Sequence, residues 1–420
     1  MRIADVLPLT PLQQGLLFHA GTTVGSGDDV YAMQLGFTVT GPLDADRLHD
    51  AVQMVLTRHP NLAARFSQRF DQPVQIIPAD PVAPWHNVDL SDSDAQPDEM
   101  IQGVCADERA AVCDLGHPPA FRVALLRIAE GRHRVVLTFH HIVMDGWSLP
   151  ILMQEIFAGY YGQRLPVAGS YRRFVTWLAG RDLAAAHAAW REVLAGFDTP
   201  TLVGPPGRLK LGPRGTTSFR VPEETTRAVT ELARSCHTTV NTVLQAAWAQ
   251  VLMWLTGSHD VVFGTAVSGR PTEMADAESM VGLLTNTVPV RATATPATTI
   301  ADLLDHLQRA HTDTLDHQHL ALSEIHRATG HDHLFDTLFV FENYPLDTAA
   351  LVGGNGLAIA DITGRELNHY PLAMVAKPGR ELGFRVEYNT EVFDPANVGK
   401  IAERFQRVLA AMTREAGRQS

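Results

Sequence analysis

Hydrophobic and polar positions along this chain switch repeatedly between a period near two and a period near 3.6, so strand-like and helix-like segments alternate from end to end. Residues 31–40 alternate as a strand does and run into the turn residues Gly41 and Pro42. Asp44 then stands where an N-cap belongs, and Leu48, Ala51, Val52, Val55 and Leu56 share one helical face. Two apolar, β-branched runs, 121–128 and 134–143, meet near Gly131 and predict a hairpin. Beyond Asp145 and Gly146 a helix is expected from Ser148, with Leu149, Leu152, Met153, Ile156 and Phe157 turned inward.

Residues 196–215 are rich in Gly and Pro and lack any period, which reads as a linker between two halves, 1–195 and 216–420. The second half predicts a strand near 217–221, a helix over 223–235, and a helix at 241–256 that is apolar on most sides. Further strands are expected at 260–267, 285–292, 334–341 and 382–388, with helices at 300–317 and from Pro395 onward. No short repeat interrupts this order, so a mixed α/β (α+β) architecture is expected.

Composition narrows the function. With 420 residues and 45% hydrophobic content the chain can bury sizeable cores, and it holds no apolar run of membrane-spanning length. A net charge of −12 argues against a nucleic-acid partner, because phosphate binding needs a basic footprint. Local basic groups remain: Arg172, Arg173 and Arg181, or Arg404, Arg407 and Arg414, which read as solvated helix faces or as patches for an acidic carrier protein. Three cysteines, Cys105, Cys113 and Cys236, form no CxxC pair and read as reduced, mostly buried thiols of a cytoplasmic protein. The N-terminus lacks the apolar core of a secretory signal. Neither GxGxxG after a strand, nor GxxxxGK[ST], nor GxSxG occurs, so dinucleotide, nucleoside triphosphate and serine-hydrolase chemistry have no support.

The most informative stretch is VVLTFHHIVMDGWS, 135–148. In a strand, His140 and His141 point to opposite faces, one locked in packing and the other free toward a cavity. Asp145 and Gly146 follow at the strand-to-helix turn and bring a carboxylate back toward the imidazoles. A neutral imidazole held in one tautomer can take a proton from an attacking amine or hold a developing tetrahedral centre. The alternative is a pair of hydrogen-bonded core histidines without chemistry. A metal set of His140, His141 and Asp145 is weaker still, since strand neighbours face apart and no third ligand completes it. His317 with His319, and His331 with His333, read as loop residues.

HHIVMDGWS resembles the HHxxxDG signature of the condensation-domain superfamily of nonribosomal peptide synthetases. Other segments resemble that family's motifs in chain order: LPLTPLQQGLLFHA (7–20), RHPNLAARF (58–66), RRFVTWLAGRD (172–182), VVFGTAVSGRP (261–271), MVGLLTNTVPVR (280–291) and LFVFENYP (338–345). The resemblance implies two chloramphenicol-acetyltransferase-like halves in a V-shaped pseudo-dimer with a central tunnel. The second half would lend a floor loop (about 264–290) and a latch (about 366–385). Donor and acceptor peptidyl carrier proteins would bring both thioesters on phosphopantetheine arms, next to adenylation or epimerisation domains of a larger synthetase. The chain itself would bind no cofactor and no metal, and would meet neither nucleic acid nor membrane.

Residue by residue, the resemblance implies that His141 is the functional histidine and His140 the structural one. Asp145 would pair with an arginine, with Arg270 as the candidate, and Gly146 would leave room for substrate. Trp147, Ser148 and Asn286 would lie near the tunnel. Where the motif usually carries arginine after Leu62, this chain has Ala63. The opening segment, HHIVMDGWSLPIL and LFVFENYP look like the subclass that accepts a donor ending in a D-residue. The implied reaction is amide formation between two carrier-bound thioesters. A non-catalytic recruitment module of the same fold, or a stand-alone acyltransferase, is the alternative.

Overall fold

Burial of both faces of a central sheet dictates the first part of the structure, a computed structural model that describes residues 2–22, 29–91, 97–117, 119–204, 212–344, 351 and 356–419. Along residues 2–180 the elements are β1 (Ile3–Pro8), α1 (Pro11–Thr22), β2 (Ala32–Thr40), α2 (Ala45–Arg58), β3 (Arg65–Ser67), β4 (Val74–Pro78), β5 (Trp85–Asp89), α3 (Pro97–Val112), β6 (Phe121–Ala129), β7 (Arg132–His140), α4 (Ser148–Tyr160) and α5 (Tyr171–Ala179). They continue with α6 (Leu183–Val193), β8 (Arg214–Arg220), α7 (Glu223–Ser235), α8 (Val240–Thr256), β9 (Asp260–Val267), β10 (Asn286–Thr293), α9 (Ile300–Thr314), α10 (Leu322–Thr329), β11 (Thr337–Phe341), β12 (Ala358–Arg365), β13 (Leu372–Lys377), β14 (Gly383–Asn389) and α11 (Pro395–Gln419).

The chain divides into two compact units. The first comprises residues 1–180, 270–285 and 344–367; the second comprises 181–269, 286–343 and 368–420. Within the first, a five-stranded sheet runs β12-β2-β7-β6-β5 beside a three-stranded sheet β1-β4-β3. β2 is buried from Ala32 to Val39 and β7 from Val135 to His140, as expected of strands covered on both faces. The hairpin of β6 and β7 is antiparallel, with Phe121 opposite Phe139. α2 starts at its expected cap, where the Asp44 carboxylate accepts the Arg47 N–H at 3.0 Å, and its five predicted apolar residues are all buried.

The RHPNLAARF segment locks α2 to α4. Arg58 donates two hydrogen bonds of 3.0 Å to the Glu155 carboxylate, and His59 Nε2 lies 2.8 Å from it. Burial opposes the charge on Glu155, but these partners outweigh it and hold its carboxyl at about 2. Ala63 is buried in the short 3-10 turn that follows, so the position that departs from the family pattern takes an apolar role here.

In the second unit a mixed six-stranded sheet runs β10-β9-β11-β13-β14-β8. α8 packs on it with ten buried residues, Trp248 among them. Its start is fixed by the Thr239 hydroxyl, which accepts the Thr242 N–H at 3.1 Å, and its end by Gly257 at φ 70°, a conformation glycine adopts without strain.

The described residues depart from the sequence expectations at several points. The strand expected to reach residue 143 ends at His140, because the next backbone N–H groups turn away from the sheet: Ile142 donates to the His140 ring at 3.1 Å and Val143 to the His140 carbonyl at 3.1 Å. The end of the first half, expected at 195, falls earlier: α6 buries Ala186 and Trp190 against Ile325, Leu334 and Phe335 of the second unit. Part of the expected linker, 205–211, lies outside the described residues. Its flank is packed, with Thr201 N–H bonded to Leu334 O at 2.9 Å and Val203 N–H to the Asp336 carboxylate at 2.9 Å.

The range expected for the latch, 366–385, contains β13 and the start of β14. β13 and β14 belong to the second unit's own sheet, whereas residues 344–367 join the first unit, with β12 paired antiparallel to β2. Within the range expected for the floor loop, residues 270–285 belong to the first unit and are flanked by β9 and β10 of the second. The three cysteines are half-buried rather than mostly buried. Among the described residues no helix is long and apolar enough to cross a membrane.

Candidate active site

The turn between β7 and α4 builds the site within the first unit. Its first residue, His141, is half-buried, and its Nδ1 lies 3.0 Å from the Met144 carbonyl oxygen. A carbonyl only accepts, so Nδ1 carries the proton and Nε2 presents a lone pair. Burial lowers the imidazole pKa below its usual 6.5, with the Asp145 charge opposing, so the ring is neutral at neutral pH.

His140 is sealed. Its side chain has no exposure, its Nδ1 accepts the Ile142 N–H, and its Nε2 faces the Asp29 carboxylate at 3.3 Å. Burial alone would raise the Asp29 carboxyl, but the His140 hydrogen bond, the Tyr31 N–H and His19 hold it below the usual carboxylate range. The two histidines therefore part company, although the cause is the end of the strand rather than alternation along it.

Asp145 is completely buried and saturated with donors. Its Oδ1 accepts from Ser148 N–H at 2.9 Å, from Ser148 Oγ at 2.7 Å and from Arg270 Nη2 at 3.4 Å. Its Oδ2 accepts from the backbone of Leu284 at 3.0 Å and of Thr285 at 3.3 Å. Arg270 also donates to the carbonyls of Ala277 and, at 3.0 Å, Met280. A carboxylate that accepts from five donors has no lone pair left for substrate; it fastens residues 270–285 to the turn. Gly282 tightens the same joint, its carbonyl accepting from Asp145 N–H at 3.0 Å and its N–H bonding Ser148 Oγ at 3.1 Å.

A cleft of about 70 Å³ opens beside His141, lined by Met33, Leu35, Phe139, Leu149 and Tyr344, with Gln34, Gly146 and Gly364 to Glu366 completing it. Gly146 is necessary to this shape, since a Cβ there would lie 2.7 Å from the Tyr344 ring and hydroxyl. Trp147 is half-buried with the Arg270 guanidinium 5.9 Å over its ring. Ser148 and Asn286 do not line the cleft. Ser148 is fully buried, and Asn286 of the second unit gives its amide to the carbonyls of Gln318 and Leu320, both at 2.8 Å. Both side chains are engaged in hydrogen bonds where they stand.

Sequence reasoning missed Asp29, Tyr344 and the β12 residues that wall the cleft. Tyr344 sits in a segment already singled out, LFVFENYP, whose last residue, Pro345, lies outside the described residues; Asp29 offers no pattern of its own. Arg172 and Arg173, named as a possible patch, are exposed and each pairs with a carboxylate of the same unit, Asp5 at 3.0 Å and Asp276 at 3.1 Å. Arg404 lies 5.4 Å over the Trp254 ring.

Comparison with known proteins places the fold and this turn in context. The model of the condensation-domain family matches residues 3–419. A chondramide synthase of Chondromyces crocatus is 32% identical over 98% of this chain, the vanchrobactin synthetase of Vibrio anguillarum 32% over 97%, and the third component of the surfactin synthase of Bacillus subtilis 32% over 96%. The chain spans 12%, 14% and 32% of those proteins' respective lengths. Among solved structures, the condensation domain of the monacolin K polyketide synthase has a TM-score of 0.81 at 17% identity, covering 99% of this chain and 98% of that one. The first condensation domain of the calcium-dependent antibiotic synthetase has 0.75 at 22%, covering 98% and 97%. These likenesses carry the expected mixed α/β fold, and the family match with the sequence relatives decides the rest: the chain belongs to the condensation-domain family, the amide-forming acyltransferases of nonribosomal peptide synthetases.

Proposed function

We propose that this chain joins a donor peptidyl or aminoacyl thioester to the amine of an acceptor aminoacyl thioester, each delivered on the phosphopantetheine arm of a carrier protein. The amine attacks the thioester carbonyl, a C–N bond forms, the C–S bond breaks, and the donor's thiol leaves while the amine gives up a proton. The observation that carries this reading is the placing of His141, which lines the cleft with Nδ1 committed to the Met144 carbonyl and so keeps the Nε2 lone pair for a proton.

His141 holds the amine by a hydrogen bond from its N–H to Nε2 and accepts the proton as the tetrahedral centre forms or collapses. Asp145 and Arg270 keep the turn in shape and stay out of the proton path, because Asp145 is already saturated. Gly146 keeps the cleft open against Tyr344. Residues 270–285 serve as floor and β12 as latch of the same unit. Because a thioester is already activated, orientation of the two arms supplies much of the acceleration.

The donor ends in a D-residue and the acceptor is an L-residue in this reading, which rests on the opening segment PLTPLQQGLLFHA and on LFVFENYP. The exposed arginines of α5 and α11 are candidate contacts for acidic carrier proteins. The test mixes the purified chain with a D- or L-ended peptidyl carrier protein and an aminoacyl carrier protein, and follows both thioester masses. Transfer of the peptide mass to the acceptor, faster from the D-ended donor, supports the reading. No transfer with any folded pair turns it toward a recruitment module, and equal rates from both donors remove the D-donor assignment alone.

A further inference from the structure

We infer that Asp29 is a positioning residue for His141, a role that rests on the function proposed above and that acts through the backbone on either side of the imidazole. His141 touches Asp29 nowhere directly. Its main chain, however, is pinned at both ends by groups that Asp29 orders.

On the N-terminal side, the His141 N–H donates to the Tyr31 carbonyl at 2.9 Å. Tyr31 is itself set by Asp29 Oδ1, which accepts the Tyr31 N–H at 2.8 Å. The Tyr31 ring then meets the His141 imidazole edge-on, with centroids 6.4 Å apart. On the C-terminal side, the Ile142 N–H donates to His140 Nδ1 at 3.1 Å, which requires the His140 proton to sit on Nε2. That proton faces Asp29 Oδ2 at 3.3 Å. One buried carboxylate, 3% exposed, thus fixes the neighbouring strand's entry and the tautomer of the preceding histidine.

The choice of carboxylate follows from counting donors. Two N–H groups converge on Asp29, one from Tyr31 and one from His140, and each needs an acceptor. A carboxylate of this length offers two acceptor-only oxygens. An asparagine offers one, so either the Tyr31 N–H or the His140 N–H would face an amide NH₂. Moving the His140 proton to Nδ1 does not help, because that nitrogen would then oppose the Ile142 N–H. No arrangement of the amide satisfies all three groups, and the backbone around His141 must shift. A displacement of the order of 1 Å at a reacting group costs roughly a hundredfold in rate.

The test compares wild type, Asp29→Asn and His141→Ala in the carrier-to-carrier transfer assay, alongside ¹⁵N NMR of the histidine rings in the wild-type chain. The inference expects the folded Asp29→Asn chain to lose ten- to a hundredfold in kcat with KM changed less than twofold, because carrier binding is untouched while the imidazole is misplaced. A kcat within twofold of wild type in a folded Asp29→Asn chain overturns it. Should that variant fail to fold, the NMR experiment decides: protons on His140 Nε2 and His141 Nδ1 at neutral pH uphold the inference, and a proton on His140 Nδ1 refutes it. Wild-type transfer that falls in His141→Ala but not in Asp29→Asn would retain the condensation reading and discard the positioning role. Absence of transfer in wild type would strike the reading itself, with the NMR result still judging the geometry.

Discussion

The turn from His140 to Ser148 and the helix α8 are both deeply buried, yet they are built from opposite materials. Around the turn, His140, Asp145 and Ser148 have essentially no exposure and every one of them is hydrogen-bonded, with Asp29 and Arg270 close behind. Around α8 the buried residues are overwhelmingly apolar, Val243, Leu244, Trp248, Val251 and Leu252 among them, packed on Phe263, Phe339 and Met374. An apolar core tolerates small rearrangements, since its attraction is non-directional. A polar network does not, because each misplaced donor leaves a buried partner unsatisfied at a cost of about 1–3 kcal/mol. The lesson is that this fold concentrates directional bonding where one side chain must be held in one orientation, and uses oil-like packing where it needs only mass.

The contrast is sharpest if one residue is removed from each region. Trp248→Ala should lower stability by about 3–5 kcal/mol, as large core truncations do, while the chain that remains folded keeps its transfer rate within a fewfold. Asp145→Ala should destabilise by a comparable 3–5 kcal/mol by removing the carboxylate from the buried pair with Arg270 and stranding the donors of Ser148, Leu284 and Thr285, and should also abolish transfer. Denaturant unfolding and the transfer assay on both chains read the two effects; equal loss of rate in both would break the distinction.

A smaller effect is expected at Gly146. In Gly146→Ala the new methyl meets the Tyr344 ring at 2.7 Å, so either the ring or the turn must move, at about 1–3 kcal/mol. Transfer should fall about tenfold and recover in part when Tyr344→Ala is added; no recovery would show that Tyr344 is not the obstacle.

The smallest effect is that of pH. Burial holds the His141 pKa below 6.5 in the folded chain, so between 6.5 and that lower value the unfolded chain binds the proton and the folded one does not. The contribution to stability is therefore fully present above pH 6.5 and is lost as pH falls toward the folded-state value. An NMR titration should find the His141 ring more than half neutral at pH 6.5, and a midpoint at or above 6.5 would contradict the lowering that burial imposes.

How much of this was legible in the sequence depended on distance along the chain. Local signals held: Asp44 caps α2, α7 spans the predicted 223–235, and Asp145 with Gly146 does lead into a helix at Ser148. The HHIVMDG turn was legible for the same reason, since its residues are neighbours in sequence. What escaped is set by pairing across hundreds of residues. β12 has mostly exposed positions and too little alternation to announce itself, and only its antiparallel pairing with β2 makes it a strand. The same distance hid Tyr344 from Gly146 and, within one unit, Asp29 from His140. The Gly- and Pro-rich composition of 196–215 marks irregular backbone, and of its described residues Thr201 N–H bonds the Leu334 carbonyl and Val203 N–H the Asp336 carboxylate, just ahead of β11.

The central claim, that the His141 imidazole serves amide formation between two carrier-bound groups, is tested most directly by following peptide mass from donor to acceptor carrier protein with wild type and His141→Ala. The account predicts transfer by wild type and a fall of tenfold or more in the variant, which denaturant unfolding should show to be still folded. Transfer at wild-type rate by a folded His141→Ala chain would contradict it.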